Sequence, residues 1–271
     1  MFALPAPPPQ ELAIGGATYR LARVFKHDFL AATCVYECPA PGRGQAARAV
    51  VKFGRVQDFC GLPLAWVGEW LIGHEEAIYA ALAGLEGVPR WLGRLGPRVC
   101  AIEYIDGQSL DRVKSPPAGF FDALRTLMDA VHARGVAYGD ANKRSNILID
   151  RDGRPCLVDF QISLRRRDDL PWPVSAVLRR VVGYLADADL YHLYKHKRRM
   201  APAELTAEED ALSRRRGGLL GLHRTLTTPY RSLRRWFLNR QYRAGRLVSP
   251  TEEMEDDMPE KATWRHDRGK G

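Results

Sequence analysis

Three oxygen-bearing side chains fall within one short stretch, VHARGVAYGDANKRSNILIDRDGRPCLVDFQIS: Asp140, then Asn146, then Asp159 directly after an apolar run. Phosphoryl transfer asks little covalent chemistry of a protein. It needs a carboxylate to orient the acceptor hydroxyl, hard oxygen ligands for a divalent ion, and positive charge to offset the γ-phosphate. Carboxylate and carboxamide oxygens are the donors Mg²⁺ prefers. A loop with one Asp and one Asn, followed by a short hairpin ending in a second Asp, delivers those groups to one cleft. Taken singly, Asp, Asn and Gly are ordinary turn formers and read as a surface loop. Their order, with a helix before them and strands around them, carries the chemical reading.

The elements that must position these residues are visible in the pattern. Residues 19–55 read as strands: YRLARVF and CVYECP, then the turn PGRGQ leading into ARAVVKFG, where Val50, Val51 and Phe53 give strand character. Residues 66–83 fit a helix, with Trp70, His74, Ile78 and Ala81 close to one face. GLEGVPRWLG breaks it, and PRVCAIEYIDG reads as a buried strand. SPPAG at 115–119 is a hinge or helix lead-in. FFDALRTLMDAVHARG is an amphipathic helix with Phe120, Leu124, Leu127, Met128 and Val131 on one stripe. NILID and RPCLVDF follow as short strands around the turn RDGR, and the remainder is helical and basic. LTAEED offers a capping box, Thr206 with Glu209. Strands first and helices later predict an α+β chain with two lobes.

The segment HARGVAYGD, with its following Asn and DFQ, resembles the catalytic loop and metal motif of protein kinases, H-R-D-x-x-x-x-N and D-F-G. Tyr138 and Gly139 stand in place of the usual His and Arg, Asn146 comes one residue late, and Gln161 replaces the final Gly. The fuller pattern is similar to divergent bacterial kinase-like proteins, described as RIO-like or lipopolysaccharide-core-kinase-like. The resemblance covers roughly residues 19–200 and is most specific over 131–163. It implies a two-lobed protein-kinase-like fold, with a small β-rich N-lobe over 16–105 and a reduced helical C-lobe over 106–245. Residues 1–15 and 246–271 are expected to be poorly ordered tails.

By the same resemblance Asp140 is the catalytic base, Lys143 lies near the transferring phosphate, and Asn146 and Asp159 are Mg²⁺ ligands. Lys52, ending ARAVVK, sits where the strand lysine contacts the α- and β-phosphates of ATP. Glu75 matches the helix glutamate that pairs with it, with Glu76 as the alternative and an exposed helix face as the plain reading of both. Glu103, Tyr104 and Ile105 correspond to the hinge beside the adenine, or to an ordinary core strand. The G-x-G-x-x-G covering loop is absent, and KHDFLAATC occupies its place. There Lys26, Ala31, Ala32 and Thr33 are candidates to cradle phosphate through backbone N–H groups and one cation, or the segment is a plain hairpin turn. Asp189 is a candidate to anchor the catalytic loop from a helix below it. No A-P-E motif or long activation segment is present.

The implied activity is ATP-dependent transfer of the γ-phosphate to a hydroxyl acceptor, a protein Ser/Thr or a saccharide or lipid. The missing loop glycines and altered D-F-G keep open a pseudokinase that binds nucleotide or acts as a scaffold without turnover. The net charge of +9 gathers in the second half, in runs such as RRR at 165–167 and KHKRR at 195–199. It suits phosphate-bearing partners, including an anionic membrane face, and equally a solvated basic surface. Nucleic acid is not expected, since no RNA-binding motif or aromatic-rich strand accompanies the charge. GGLLGLHRTLTTPYRSLRRWFLNRQYR, with Leu219, Leu222, Leu226, Trp236 and Phe237, reads as a membrane-surface helix or a core-docking one. No apolar run is long enough to span a bilayer, and MFALPAPPPQ does not have the build of a secretory signal. Five cysteines without a paired framework point to reduced thiols in a cytoplasmic setting, with the inner membrane face as the peripheral alternative.

Overall fold

The computed structural model describes residues 2–58 and 62–214. Cys60, the Leu- and Trp-bearing basic segment 217–243 and the tail 246–271 lie outside them. The described residues form two compact units, one of 2–73 and 92–104, the other of 74–91 and 105–214.

The first unit is built on an antiparallel sheet whose strand order is β1-β2-β3-β4-β6-β5. The strands are β1 (Glu11–Ile14), β2 (Ala17–His27), β3 (Ala31–Glu37), β4 (Arg48–Gly54), β5 (Trp91–Gly96) and β6 (Val99–Glu103). Period-two alternation sends Val24, Ala32, Cys34, Tyr36, Val51 and Phe53 to one face, where they form the apolar core. The N-terminal residues, expected to be poorly ordered, are structured: Leu12 pairs with Tyr19 in β1–β2. Ala3 also donates its N–H to the Asp28 carbonyl at 2.8 Å and accepts from the N–H of Val56 at 2.9 Å. The Pro-rich composition hid this, because the segment is held by backbone bonds to other strands and not by its own pattern.

Helix α1 (Ala65–Ala81) starts against the end of β4, where Gly54 and Gly68 let the backbones meet. A Cβ on Gly68 would lie 2.3 Å from the Arg55 carbonyl oxygen. The buried stripe of α1 runs through Gly68, Leu71, Glu75, Ile78 and Leu82. The expected stripe was wrong at Trp70, which is 60% exposed. Two carboxylates in mid-helix had suggested a solvated side where the true core face contains a buried glutamate.

The second unit carries β7 (Gly107–Ser109), α2 (Phe120–Ala133), β8 (Val136–Ala137), β9 (Ile147–Asp150), β10 (Pro155–Leu157), β11 (Leu164–Arg165), α3 (Val174–Met200) and α4 (Ala207–Arg214). The amphipathic stripe of α2 is buried as its spacing predicted, from Phe120 to Val131. Gly119 precedes it at φ 72, the left-handed conformation that lets SPPAG turn the chain into the helix. β9 pairs with β10 and with β7, and β8 with β11. The capping box of α4 forms in full: Thr206 N–H donates to Glu209 at 2.8 Å, and Glu209 N–H donates to Thr206 Oγ1 at 3.3 Å. Among the described residues no helix is long and apolar enough to cross a membrane.

Candidate active site

In the second unit the chain leaves α2, forms β8, and enters the loop that bears Asp140. Asp189, on α3 and 1% exposed, holds that entry: one carboxylate oxygen accepts Tyr138 N–H and the other Gly139 N–H, each at 2.8 Å. His132 Nε2 lies 3.2 Å from the same carboxylate. Gly139, in the place of the motif's arginine, has φ 78, a conformation that a side chain there would strain.

Asp140 Oδ2 then receives Lys143 Nζ at 2.7 Å and Asn146 Nδ2 at 2.8 Å. Because the Asn146 amide nitrogen is committed to a carboxylate, its side-chain oxygen Oδ1, 3.4 Å from Ser145 Oγ, is the end that can accept a cation. Val158 N–H bonds the Asn146 carbonyl at 3.1 Å, continuing the β9–β10 register and setting Asp159 one residue past this point. Asp159 has φ 62, and no other non-glycine among the described residues has positive φ. A backbone held there marks a position where orientation matters more than local comfort.

Tyr138, in the place of the motif's histidine, joins the two halves. Its hydroxyl lies 2.6 Å from the Val158 carbonyl, to which it donates, and 3.1 Å from that of Asn146. Its ring packs edge-on against Phe160, which also meets Tyr79. Burial first, then the charges of Asp159 and Asp140, push the phenol's pKa well above its ordinary value. One buried hydroxyl thus sits in the field of both carboxylates. Ser163 Oγ donates to the Tyr138 carbonyl at 2.7 Å, and His74 Nε2 lies 2.8 Å from the Ser163 carbonyl.

In the first unit the register gathers another set. Lys26 faces Thr33, Thr33 faces Lys52, and Lys52 faces Cys100. Directly opposed residues share a face, so Lys26, Thr33 and Lys52 form one row across the sheet. Lys52 is 7% exposed, and Glu75 in the second unit is 1% exposed, whereas Glu76 is half-buried. Buried charges at core positions are rare without a specific role, and this favours Glu75 over Glu76. Glu103 ends β6 opposite Ala49. The Tyr104 ring stacks on Phe25 and lies under the Arg48 guanidinium, 4.3 Å from its centroid. Ile105 opens the second unit, so the three expected hinge residues straddle the passage from one unit to the other.

Within KHDFLAATC the turn amides are taken up by the hairpin itself. Asp28 Oδ1 takes the N–H groups of Leu30 at 2.8 Å and Ala31 at 3.0 Å, and Oδ2 lies 3.2 Å from Lys26 Nζ. Ala32 and Thr33 are paired within β3. An aspartate placed two and three residues before the amides it caps is an Asx-turn signal, which the sequence reading passed over. It also missed Arg55, fully buried, whose guanidinium lies over the Phe29 ring and donates to the Phe29 carbonyl at 2.7 Å.

No family model matches the chain, and no curated protein matches it. Among solved structures it superposes on the Rio2 kinase from Chaetomium thermophilum with a TM-score of 0.50 and 16% identity, over 73% of this chain and 60% of that one. The fold is protein-kinase-like. A second structure, of the same kinase as an ADP/Mg²⁺-phosphoaspartate complex, gives a TM-score of 0.49 at 15% identity, over 69% and 58%. The chain thus spans about three fifths of the length of the kinases it matches. At such identity the likeness carries the fold, and any activity must be argued from the residues.

Proposed function

We propose that this protein is an ATP- and Mg²⁺-dependent phosphotransferase that moves the γ-phosphate to a hydroxyl acceptor. The observation that carries the reading is the Asp140 cluster, a carboxylate fixed by Lys143 and Asn146 on a loop that Asp189 clamps. Asp140 orients the acceptor hydroxyl and takes its proton, and Lys143 offsets charge on the transferring group. The Asn146 side-chain oxygen and the Asp159 carboxylate are hard donors that fit Mg²⁺, which when bound would neutralise phosphate charge. Lys52 is assigned to the nucleotide phosphates, with Glu75 as its orienting partner, and Glu103 to Ile105 to the adenine edge. Lys26 and Thr33 extend the Lys52 row as secondary phosphate contacts. Within kinase-like proteins we favour a RIO-like relationship; nothing in the comparisons supports the lipopolysaccharide-core-kinase side of the resemblance.

The second reading, a pseudokinase, is favoured by one observation: the Asp28 carboxylate already occupies the turn amides that would otherwise meet phosphate. Melting the protein with and without millimolar ATP and Mg²⁺, then following labelled γ-phosphate into a fractionated bacterial lysate, tests both. A Tm rise with label transfer supports the enzyme, because a ligand selective for the native state stabilises it. A Tm rise without transfer supports the pseudokinase. The absence of any rise removes the enzyme and leaves the pseudokinase as a scaffold that does not bind nucleotide.

A further inference from the structure

The loop that carries Asp140 also carries a second kind of charge. Beyond Asp140 it runs along the C-terminal end of α3. His196, 3% exposed, has Nε2 3.0 Å from the Ala141 carbonyl, and Lys195 Nζ reaches Asn142 Oδ1 at 3.3 Å. Arg144 is exposed and its guanidinium rests 3.8 Å from the Met200 sulfur, a weak acceptor. Arg199 is exposed on the same end of the helix. Lys195 and Arg199 are one helical turn apart on α3, and Arg144 reaches Met200 beside Arg199, so the three cations border one stretch of surface.

Elsewhere in this unit the basic side chains are mostly neutralised. Arg125 pairs with Asp129, Arg154 with Asp150 and Glu86, Arg166 with Asp168, Arg167 with Asp169, and Lys197 with Asp122 and Glu209. Among the described residues neither Arg144 nor Arg199 has a carboxylate partner. Two guanidinium groups with no carboxylate partner among the described residues, beside a loop that His196 fixes to α3, form a preorganised anion site. Two planar guanidinium forks match the oxygens of a phosphate group better than ammonium groups do.

We propose that Arg144 and Arg199, with Lys195, bind a phosphate group that the acceptor substrate already carries, so that the enzyme phosphorylates a hydroxyl of an already phosphorylated compound. This deepens the phosphotransfer reading and rests on it. Arg144 lies four residues after Asp140, a length of chain that reaches at most about 14 Å. A phosphorylated acceptor whose hydroxyl and phosphate lie within that reach places the hydroxyl at Asp140 and the phosphate among the arginines. The group could belong to a soluble sugar phosphate or to a lipid headgroup, and the chemistry of recognition is the same.

The test measures binding directly at low salt, on the full chain and on an Arg144→Ala/Arg199→Ala variant. The probes are glucose 6-phosphate, glucose, inorganic phosphate, and vesicles of phosphatidic acid or of phosphatidylcholine alone. Both substitutions are at exposed positions, and the ligand-free Tm checks that the fold is kept. Glucose 6-phosphate or phosphatidic acid vesicles should bind where glucose and phosphatidylcholine do not, and the double variant should weaken that binding by about tenfold or more. Glucose 6-phosphate and inorganic phosphate binding assigns a soluble source, and vesicle binding alone assigns a lipid. Equal binding by wild type and variant, or none by any phosphate-bearing probe, overturns the site. The ATP–Mg²⁺ Tm shift is read in parallel. Its loss with phosphate binding kept sinks the phosphotransfer reading and leaves the anion site standing.

Discussion

Asp189 grips two consecutive backbone N–H groups, those of Tyr138 and Gly139, with one carboxylate oxygen for each. These are the two residues before Asp140, so the carboxylate on α3 fixes where the proposed base begins. Asp189→Asn presents an NH₂ group to one of the two donors. It should lower stability by roughly 3 kcal/mol, because a buried donor loses its charged acceptor. It should also cut phosphate transfer much more than it weakens ATP binding, since the loop and not the nucleotide is displaced. Urea unfolding and single-turnover transfer read the two effects separately. Equal losses in transfer and in nucleotide affinity would mean that Asp189 supports the fold in general.

Asp140 and Asp159 are predicted to fail in different ways. Asp140→Asn removes the base while leaving the phosphate ligands in place, so transfer should fall by about a hundredfold or more with the ATP–Mg²⁺ Tm shift largely kept. Asp159→Asn removes an anionic metal ligand, so the shift itself should shrink and become insensitive to Mg²⁺. Two variants that transfer phosphate at the wild-type rate would dissolve both assignments.

The second unit was the more legible in sequence, and the reason is local. Helix α2, the two short strands and the loop between them are consecutive, so their hydrophobic spacing and turn residues specify them without distant help. The capping box at Thr206 and Glu209 was legible for the same reason. The first unit was read less well because its pattern depends on partners far along the chain. β1 and β5 are strands because other strands accept them, and the buried side of α1 is set by what packs there. Asp28 was not legible in the same way because its meaning lies in the amides two and three residues on. Tyr138 and Gly139, departures from the motif in sequence, prove to be structural: a hydroxyl spanning two carbonyls and a left-handed turn.

Glu209 serves two purposes that substitution can separate. It closes the capping box of α4, and it meets the Lys197 ammonium at 2.8 Å, where Lys197 is 2% exposed. Burial lowers the Lys197 pKa, but bonds to Asp122 and Glu209 outweigh it and leave it raised. Glu209→Gln keeps a capping side chain and loses the charge. Glu209→Ala loses both and should cost about 1 kcal/mol more. Lys197→Ala should destabilise by roughly 3 to 5 kcal/mol, and Lys197→Met by somewhat less, since it keeps the packing although the Glu209 charge is still left unpaired. Denaturant midpoints across the four variants give the comparison.

Acid should destabilise the protein before its carboxylates titrate. Burial, the largest cause in each case, lowers the pKa values of His27, His192 and His196 from 6.5 to about 4. Between those values the unfolded chain takes up protons that the folded chain refuses, so stability rises with pH across this window. It is complete above about pH 6.5 and is lost as pH falls toward 4. At His27 the cause has a visible partner, since its Nε2 accepts the Leu4 N–H at 3.0 Å and cannot do so once protonated. His27→Gln, whose amide oxygen can accept the same N–H, should flatten the decline of Tm between pH 6.5 and 4. An unchanged slope would place the proton uptake elsewhere.

Asp28 gives the sharpest way to ask whether the β2–β3 turn deals with nucleotide. Its carboxylate satisfies two turn amides and pairs with Lys26, at the end of the row that continues through Thr33 to Lys52. Asp28→Asn keeps an oxygen for the amides, so the hairpin should lose no more than about 1 kcal/mol. The substitution also removes the negative charge that stands 3.2 Å from the Lys26 ammonium. ATP–Mg²⁺ binding should therefore tighten by up to about fivefold, the scale of a half-exposed ion pair. Lys26→Met should weaken it by a similar factor, and the double variant should resemble Lys26→Met alone, because Asp28 is proposed to act on phosphate through Lys26. Nucleotide affinities that do not move in any of the three would remove Lys26 and Thr33 from the phosphate contacts and leave Lys52 as the sheet's own contribution.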